Sequence, residues 1–382
     1  MSPRREPIAL AREILETYLL RLLIIKGSFC NTIAERSFFH LKSSSTMALR
    51  INLRKIRPGY ILKPRGKNLK FVYYVRCGLR HFVPSFWLRR HKAELLATLD
   101  ARTDKEQILD RVNYYNKLTG IRELSGLTHV SDVTNSNGTY NCDAFEFTRY
   151  FSPDLLLDKH FGDWTTICET PSIVKTRPLA GDNSNNVILN LDKVRHFVLL
   201  KDKRTFASKW DKAVFRGAAY QPHRRRFMEK FFGHPLVDCG NTAEKSDLPK
   251  EWSAPLITLY DHLKYKFVIS LEGTDVASNL KWVMSSNSVA VMPRPKYESW
   301  FMEGRLQPGV HYIEIKDDYS DLEDKIQYYS THIEEAEAII RNAHAFVEQF
   351  RDKEREELIS ILVLEKYFRH TKQKESVSTH LN

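Results

Sequence analysis

The sequence predicts an α/β fold whose carboxyl-terminal half is built on a parallel sheet. Short apolar runs alternate with helix-like segments from about residue 205 onward, which is typical of βαβ units. The length of 382 residues suggests two domains or one large one. With 42% hydrophobic and 28% charged residues, the composition is that of a soluble globular protein, not of a fibrous or disordered chain.

We interpret residues 1–46 as a possible upstream extension. The stretch IALAREILETYLLRLLIIKG at 8–27 is partly apolar, but charges interrupt it before it reaches the roughly 18 apolar residues of a membrane-spanning helix. No small-residue cleavage site follows, so a helix that packs or frays is favoured over a signal or an anchor. A serine-rich break then leads to Met47, which is an alternative start.

Residues 47–120 are predicted to form a basic helical segment. Lys and Arg are dense across 49–92 and are interleaved with aromatic residues. The aromatic residues on which this interpretation rests are Phe71, Tyr73, Tyr74, Phe82, Phe86 and Trp87. Three interpretations stay open: a surface for an anionic bilayer, a single-stranded nucleic-acid groove, and a solvated helical face. The net charge of +12, from 59 basic and 47 acidic residues, implies an acidic partner without choosing among them.

A helix is predicted at the end of that segment, over TDKEQILDRVNYYNKLTG, with Thr103 as its cap and Gly120 as its end. Residues 121–204 are then predicted to form strand-like pieces and turns, with a strand at PSIVKTRPL and a neighbouring apolar run at NNVILNL.

Residues 205–350 carry the alternating pattern. In order, its segments are KAVFRGA (strand), HRRRFMEKFFG (helix), PLVDCG (strand), LITLYDHLKY (helix), KFVISLEG (strand), SNLKWVMSS (helix), SVAVMP (strand), ESWFMEGR (helix), VHYIEIK (strand) and LEDKIQYYSTH (helix). Residues 351–382 form the end of a helical tail that is long enough to leave this domain and pack elsewhere.

The five cysteines are odd in number and widely spaced, and no pair has C-x-x-C spacing. The pattern suggests neither a disulfide framework nor a zinc site, and it fits a reducing, cytoplasmic compartment. No cluster of His, Asp and Glu has ligand spacing, so no metal is expected.

The loop in SLEGTDVASNLKWVM, at 270–284, is the first candidate site. It follows a strand and precedes a helix predicted to begin near Ala277–Ser278, so free N–H groups and the positive helix end would point above the sheet. Such a place binds anions, phosphate above all. Gly273 allows close backbone approach, Asn279 adds a neutral donor beside Ser278, and Lys281 adds a charge. A capped helix with an incidental lysine is the structural alternative.

The segment VFRGAAYQPHRRR, at 214–226, repeats this arrangement one strand earlier. A strand ends in Arg216-Gly217, and the next helix begins with three arginines at 224–226. Guanidinium groups bind phosphate through bidentate hydrogen bonds. Two cationic loops at one edge of a sheet suit a diphosphate better than either loop alone.

These residues also carry a resemblance. FRG with its downstream arginines, SLEGTDVASNLKWVMSSNSVAVMP, and PKYESWFMEGRLQPGVHYIEIKDDYSDLEDKI together resemble glycosyltransferase family 90, the family of capsule-associated and Rumi-like proteins. DRVNYYNKL, IVKTRPL and KVRHF look most similar to bacterial lipooligosaccharide core transferases of the Pasteurella and Haemophilus kind. The likeness covers about 100–330 and is strongest from 210 to 325.

The resemblance implies a GT-B-like enzyme: two Rossmann-like domains, a basic helical amino-terminal segment and a helical tail. Residues 121–204 would be acceptor-side, and 205–350 would bind a nucleotide sugar without a metal, with inversion. The donor-binding positions are Arg216, Gly217, Arg224, Arg225, Glu272, Gly273, Asp275, Ser278, Asn279 and Lys281. Lys281 would also act catalytically, against the diphosphate as its bond to the sugar breaks.

The catalytic base is where the sequence departs from the family. Rumi-type enzymes place an aspartate just after an arginine, and here Pro178 follows Arg177. A direct transfer still needs a carboxylate near the acceptor hydroxyl, so Asp182 and Asp163 are the candidates. Arg177 and Lys175 are predicted to contact the acceptor or the donor phosphates.

The sequence therefore predicts a transferase that moves a hexose, glucose or galactose, from a UDP-sugar to a lipooligosaccharide core sugar. It would work in the cytoplasm, peripheral to the inner membrane, with the basic segment on the anionic membrane surface and no nucleic acid expected. A capsule or protein acceptor is the alternative within the enzyme class, and a basic nucleic-acid-binding protein is the alternative outside it. The sugar, the acceptor position, the linkage and the oligomeric state stay open.

Overall fold

The computed structural model describes residues 70–126, 128–133, 138–243 and 247–373, apart from the side chain of Phe71. The possible extension at 1–46, the alternative start at Met47, the first part of the basic segment and the last nine residues of the tail lie outside the described residues. The helices are α1 (Lys70–Leu79), α2 (Ser85–Ala97), α3 (Lys105–Tyr115), α4 (Thr139–Thr148), α5 (Lys193–His196), α6 (Pro222–Phe231), α7 (Leu259–His262), α8 (Leu280–Met284), α9 (Leu322–Thr331), α10 (Ile333–Glu348) and α11 (Lys353–His370). The strands are β1 (Thr128–His129), β2 (Leu156–His160), β3 (Ser172–Val174), β4 (Thr176–Pro178), β5 (Asn186–Ile188), β6 (Trp210–Gly217), β7 (Val237–Asn241), β8 (Tyr265–Ile269), β9 (Val289–Met292), β10 (Tyr297–Ser299) and β11 (Ile313–Glu314).

The carboxyl-terminal half contains the predicted parallel sheet. Its five strands run in the order β11-β9-β8-β6-β7, and every neighbouring pair is parallel. The central strand β8 is buried along its whole length, as expected where helices cover both faces. Because all five strands point the same way, the loops after β6 and β8 open at one edge of the sheet.

The amino-terminal half has its own sheet, in the order β1-β2-β3-β5, with β1 antiparallel and the rest parallel. The run PSIVKTRPL, predicted as one strand, is divided at Lys175 into β3 and β4. β4 turns away and pairs with β10 of the other half, with Arg177 opposite Glu298. A two-stranded ribbon therefore joins the two halves.

Two predicted helices differ from the structure. ESWFMEGR forms β10, which pairs with β4, and then a tight turn at Glu303–Arg305. Met302 reaches this turn in the left-handed region, with φ of 57°. The helix expected to begin near 277 begins instead at Leu280 and is only five residues long.

The last helix, α11, packs against the amino-terminal half, as the length of the tail predicted. The Arg111 guanidinium on α3 donates to Glu356 at 2.5 Å. The Lys366 ammonium donates to the Asn116 carbonyl oxygen at 2.7 Å, and the Asn116 amide donates to Val363 O at 3.0 Å. The ribbon and α11 thus both hold the two halves together.

The helices at the amino-terminal end of the described chain correct two sequence predictions. Asp104, not Thr103, precedes α3, and its carboxylate accepts from Arg102 and Arg355 instead of capping the helix. Cys77 on α1 and Cys142 on α4 are joined by a disulfide, although 65 positions separate them. Among the residues described, no helix combines the length and the apolar character that crossing a membrane requires.

Candidate active site

The first predicted loop, after β6, is held together by Arg224. Its Nε donates to Glu272 O and one terminal nitrogen donates to Leu271 O, both at 2.7 Å, while the other donates to Ala218 O at 3.0 Å. These three carbonyls belong to both loops, so the guanidinium fastens one loop to the other. Three of the five N–H groups of Arg224 bind backbone carbonyls in this arrangement, so its expected contact with a diphosphate stays a prediction. Burial lowers the pKa of Arg224.

Arg216 and Arg225 differ in how firmly they are held. Arg216 donates to the Asp238 carboxylate at 2.6 Å and lies beside Gly240 of the neighbouring strand, where a Cβ would come within 3.5 Å of it. The Arg225 side chain, by contrast, is 43% exposed and lies 3.4 Å from Asp247, itself 78% exposed. An ion pair this open exchanges readily with solvent or ligand. Gly217 stays beside the Arg224 guanidinium, which a Cβ there would approach to 3.5 Å.

The second loop, after β8, is braced by Glu272. Its carboxylate accepts from the backbone N–H groups of Lys296 and Tyr297, at 2.9 and 3.1 Å. Burial raises the pKa of this carboxyl from 4.5 to about 7. Gly273 donates its N–H to Asp275 O at 2.9 Å, which closes the loop into a tight turn.

The remaining polar residues of this loop are divided between solvent and interior. Ser278 is exposed, whereas the Asn279 amide donates to Ile269 O at 3.0 Å. Because α8 has only five residues, its amino end contributes little to the predicted anion site.

Lys281 points into the protein and not into the loop. It is fully buried, and its ammonium lies 2.5 Å from Glu303, which is 2% exposed. The same carboxylate accepts from the Ser299 N–H at 2.7 Å and from the Ser299 hydroxyl at 2.9 Å. The charge expected at the diphosphate is therefore neutralised inside the fold, by a partner 22 positions away that no local pattern indicates.

Lys175 joins the two halves at the centre of the site. Its ammonium lies 2.5 Å from Asp163 of the amino-terminal half and 2.5 Å from Asp275 of the second loop. Asp275 also accepts from the Thr176 hydroxyl at 2.9 Å. Burial raises the pKa of Asp275, although Lys175 opposes this. The structure thus brings one predicted base candidate to the donor loop.

Asp163 is the carboxylate of this bridge that solvent reaches, with about a third of its side chain exposed. Tyr140 donates to it at 3.0 Å, and Arg195 lies 3.4 Å away. Burial would raise the pKa of Asp163, but Lys175, Arg195 and Tyr140 together hold it below its usual value. The group is therefore ionised at neutral pH and can accept a proton. Sequence reasoning assigned no role to Tyr140, and it included Arg195 only within the family-like segment KVRHF.

The other two predicted residues lie apart from this bridge. Asp182 is exposed and accepts from the Ser184 N–H at 3.1 Å, as in a local Asx turn. Arg177 is fully buried, pairs with Glu298 at 2.7 Å and donates to the carbonyl oxygens of Tyr114 and Asn186. Its predicted contact with acceptor or phosphate is corrected: its place is in the ribbon between the halves.

The described residues contain no group of three or more His, Cys, Asp or Glu side chains that could hold a metal. At the bridge the positive charge between the carboxylates is the Lys175 ammonium. A separate cavity of about 450 Å³ is lined by residues that include Lys201, Ser285, His344 and Arg351. Because Ser285 precedes β9, this cavity opens at the amino ends of the strands, away from the two loops.

Comparison with known proteins shows the family of the chain. The model of glycosyl transferase family 90 matches residues 149–380. The chain is 41% identical over 305 residues to the O-glucosyltransferase LpsA of Dichelobacter nodosus, covering 78% of this chain and 95% of that protein. It is 26% identical over 249 residues to the human Protein O-glucosyltransferase 3, covering 59% of this chain and 49% of the human protein, so it spans about half of that relative's length.

The mixed α/β fold and these matches define the class: the protein is a glycosyltransferase. The chain belongs to glycosyl transferase family 90.

Proposed function

We propose that this protein transfers a hexose, glucose by preference, from its UDP-sugar to a core sugar of lipooligosaccharide. The name of the relative from Dichelobacter nodosus, O-glucosyltransferase LpsA, supports glucose and a lipopolysaccharide-type acceptor, since almost that whole protein aligns with this chain. The human relative's name favours a second candidate, a protein acceptor, although its alignment covers a smaller part of both chains.

The Asp163–Lys175–Asp275 bridge is the observation that carries the mechanism. In the proposed reaction Asp163 accepts the proton of the acceptor hydroxyl as that oxygen bonds to the anomeric carbon. The bond from this carbon to the diphosphate breaks, and the diphosphate leaves with the electron pair. Because attack and departure occur on opposite faces, the configuration inverts. Lys175 keeps Asp163 ionised and fastens it to the donor loop.

The rest of the proposal concerns the setting of the reaction. Two Rossmann-like halves in a GT-B arrangement would hold the donor on the two loops and the acceptor on the side of Asp163. No metal would be needed, since cationic side chains stabilise the leaving diphosphate. The enzyme would act peripheral to the inner membrane, where its acceptor is anchored.

The test compares two aspartate variants, Asp163→Asn and Asp182→Asn. Loss of a general base typically costs about 10²–10⁴-fold in rate, so Asp163→Asn should lower kcat by that amount. Asp182→Asn, on an exposed turn, should keep near-normal kcat and serves as the matched control. The measurement is steady-state transfer from UDP-glucose to purified core oligosaccharide.

Equal activity of both variants would remove Asp163 from the role of base. Mass analysis of lipooligosaccharide from a deletion strain tests the acceptor separately: loss of one hexose is expected, and an unchanged mass would favour the protein acceptor.

A further inference from the structure

Four apolar side chains are exposed together where α1 leads into α2. Phe82 is 74% exposed, Phe86 57% and Trp87 55%, and Val83 lies between them at 37%. The Phe86 and Trp87 rings meet edge to face at 5.6 Å, so they form one continuous surface. We name these four residues the aromatic turn. Single exposed apolar residues are common on protein surfaces, but four within six positions mark a binding surface.

Positive charge surrounds the aromatic turn. Residues 70–92 contain six Lys or Arg and no Asp or Glu. Arg76 and Arg89 are exposed beside the aromatic residues, and the exposed Arg90 pairs with Glu94 at 2.8 Å. Apolar rings with a predominantly basic surround fit the interface of an anionic bilayer, where rings enter the headgroup boundary and cations meet lipid phosphates.

The backbone holds this turn rigidly on α4. The Arg80 guanidinium, just before the aromatic turn, pairs with Glu146 at 2.5 Å, and Arg149 donates to the Arg80 carbonyl oxygen at 2.7 Å. On α1, the Tyr73 hydroxyl donates to Thr139 O at 3.0 Å. These contacts fix the chain that leads into the aromatic turn against α4 and Arg149.

We propose that the aromatic turn inserts into the interface of an anionic phospholipid bilayer and fixes the orientation of the enzyme there. This deepens the peripheral location in the proposed function. Helix α1, which leads into the aromatic turn, is attached through Tyr73 to Thr139, and the next residue, Tyr140, donates to Asp163. Helix α4 therefore contacts both the helix that leads into the membrane contact and the proposed base, so docking would set the distance from the bilayer to the site.

The test uses full-length protein and vesicles of phosphatidylethanolamine with about 30% phosphatidylglycerol, an anionic surface of the kind that attracts basic segments. Phe82→Ser/Phe86→Ser/Trp87→Ser is compared with the control Leu256→Ser/Tyr260→Ser, which removes two equally exposed apolar side chains from the other half. The triple variant should lose on the order of a hundredfold in vesicle partitioning, and the control should lose less than about threefold. The difference should persist at about 0.5 M salt, since insertion of apolar rings is not screened.

Two further measurements distinguish bilayer insertion from a contact with protein. Brominated lipids should quench wild-type tryptophan fluorescence, and Trp87→Phe should lose most of that quenching. Activity on soluble core oligosaccharide should be unchanged in the triple variant, so failure of the proposed reaction and failure of docking give different results. Unchanged vesicle binding would overturn the proposal. If vesicle binding is unchanged and the triple variant no longer forms a dimer, the surface would be assigned to contact with a second copy of the chain. If vesicle binding is unchanged and the Tm of the triple variant falls, the surface would be assigned to contact with another segment of this chain.

Discussion

Replacing Lys281 with methionine should destabilise the fold, because the change leaves the Glu303 carboxylate buried without its cation. The pair is 2.5 Å apart, and both side chains are almost wholly inaccessible. Removing one partner of a buried ion pair costs about 3–5 kcal/mol of unfolding free energy. Since Ser299 continues to donate its N–H and its hydroxyl to this carboxylate, we expect the lower end, about 3 kcal/mol.

A double-mutant cycle measures this directly. Lys281→Met/Glu303→Gln removes both charges and should lie within about 1 kcal/mol of the wild type, because replacing a whole buried pair is often close to neutral. The coupling between the two positions should then be about 2 kcal/mol or more. Urea unfolding of the wild type, both single variants and the double variant gives the four free energies.

Transfer kinetics of the same four proteins decide between the two roles of Lys281. A structural lysine predicts that the double variant recovers both stability and most of kcat. If Lys281→Met is as stable as the wild type and kcat falls about 10²–10³-fold in the single and double variants alike, the reasoning from burial is refuted. The lysine would then act on the leaving diphosphate, as the sequence alone suggested.

Two further predictions concern charge. The pKa of Glu272 is raised from 4.5 to about 7, so between these pH values the folded state holds a proton that the unfolded state releases. The contribution of this proton to the free energy of unfolding is fully present below pH 4.5 and is lost as the pH rises through 7. Glu272→Gln should reduce the loss of unfolding free energy between about pH 5 and pH 8 by up to about 3 kcal/mol, as measured by urea unfolding at both pH values. An equal loss in the variant and in the wild type would contradict this prediction. Dialysis against EDTA should leave kcat/KM unchanged, because Lys175 supplies the charge between Asp163 and Asp275; strict dependence on Mn²⁺ or Mg²⁺ would show otherwise.

The order of strands and helices after residue 205 could be predicted because each element has its own local hydrophobic periodicity. KAVFRGA, KFVISLEG and SVAVMP are short apolar runs between helical patterns, and each became a strand of the parallel sheet. ESWFMEGR could not be predicted, since its strand depends on pairing with β4, more than a hundred positions earlier. The same holds for the disulfide of Cys77, whose partner lies on a helix that sequence spacing does not place beside it.

The candidate site also had one part that the sequence could predict and one part that it could not. Position along the chain correctly indicated which loops follow parallel strands. Asp163 and Asp182 became candidates only through the departure from the family at Pro178, and the role of either stays a prediction. Position along the chain could not indicate which cations were already neutralised, because the partners Glu298 and Glu303 are distant in sequence. From the sequence alone, a lysine or arginine in a loop is assumed to be able to bind a ligand, because the carboxylate that neutralises it in the folded protein is not known.

This distinction changes where the charge for a diphosphate should come from. Arg177 and Lys281 are neutralised by buried glutamates, and Arg224 gives three of its five N–H groups to backbone carbonyls, so these cations act mainly within the fold. Arg225 pairs with an exposed aspartate at 3.4 Å, and Arg226, the next residue of α6, is exposed. Exposed guanidinium groups lose little hydration on meeting phosphate and bind it in two-pronged fashion. We therefore expect the diphosphate to be bound by these two arginines and by loop N–H groups, while the buried cations keep the two halves at the distance that the reaction requires.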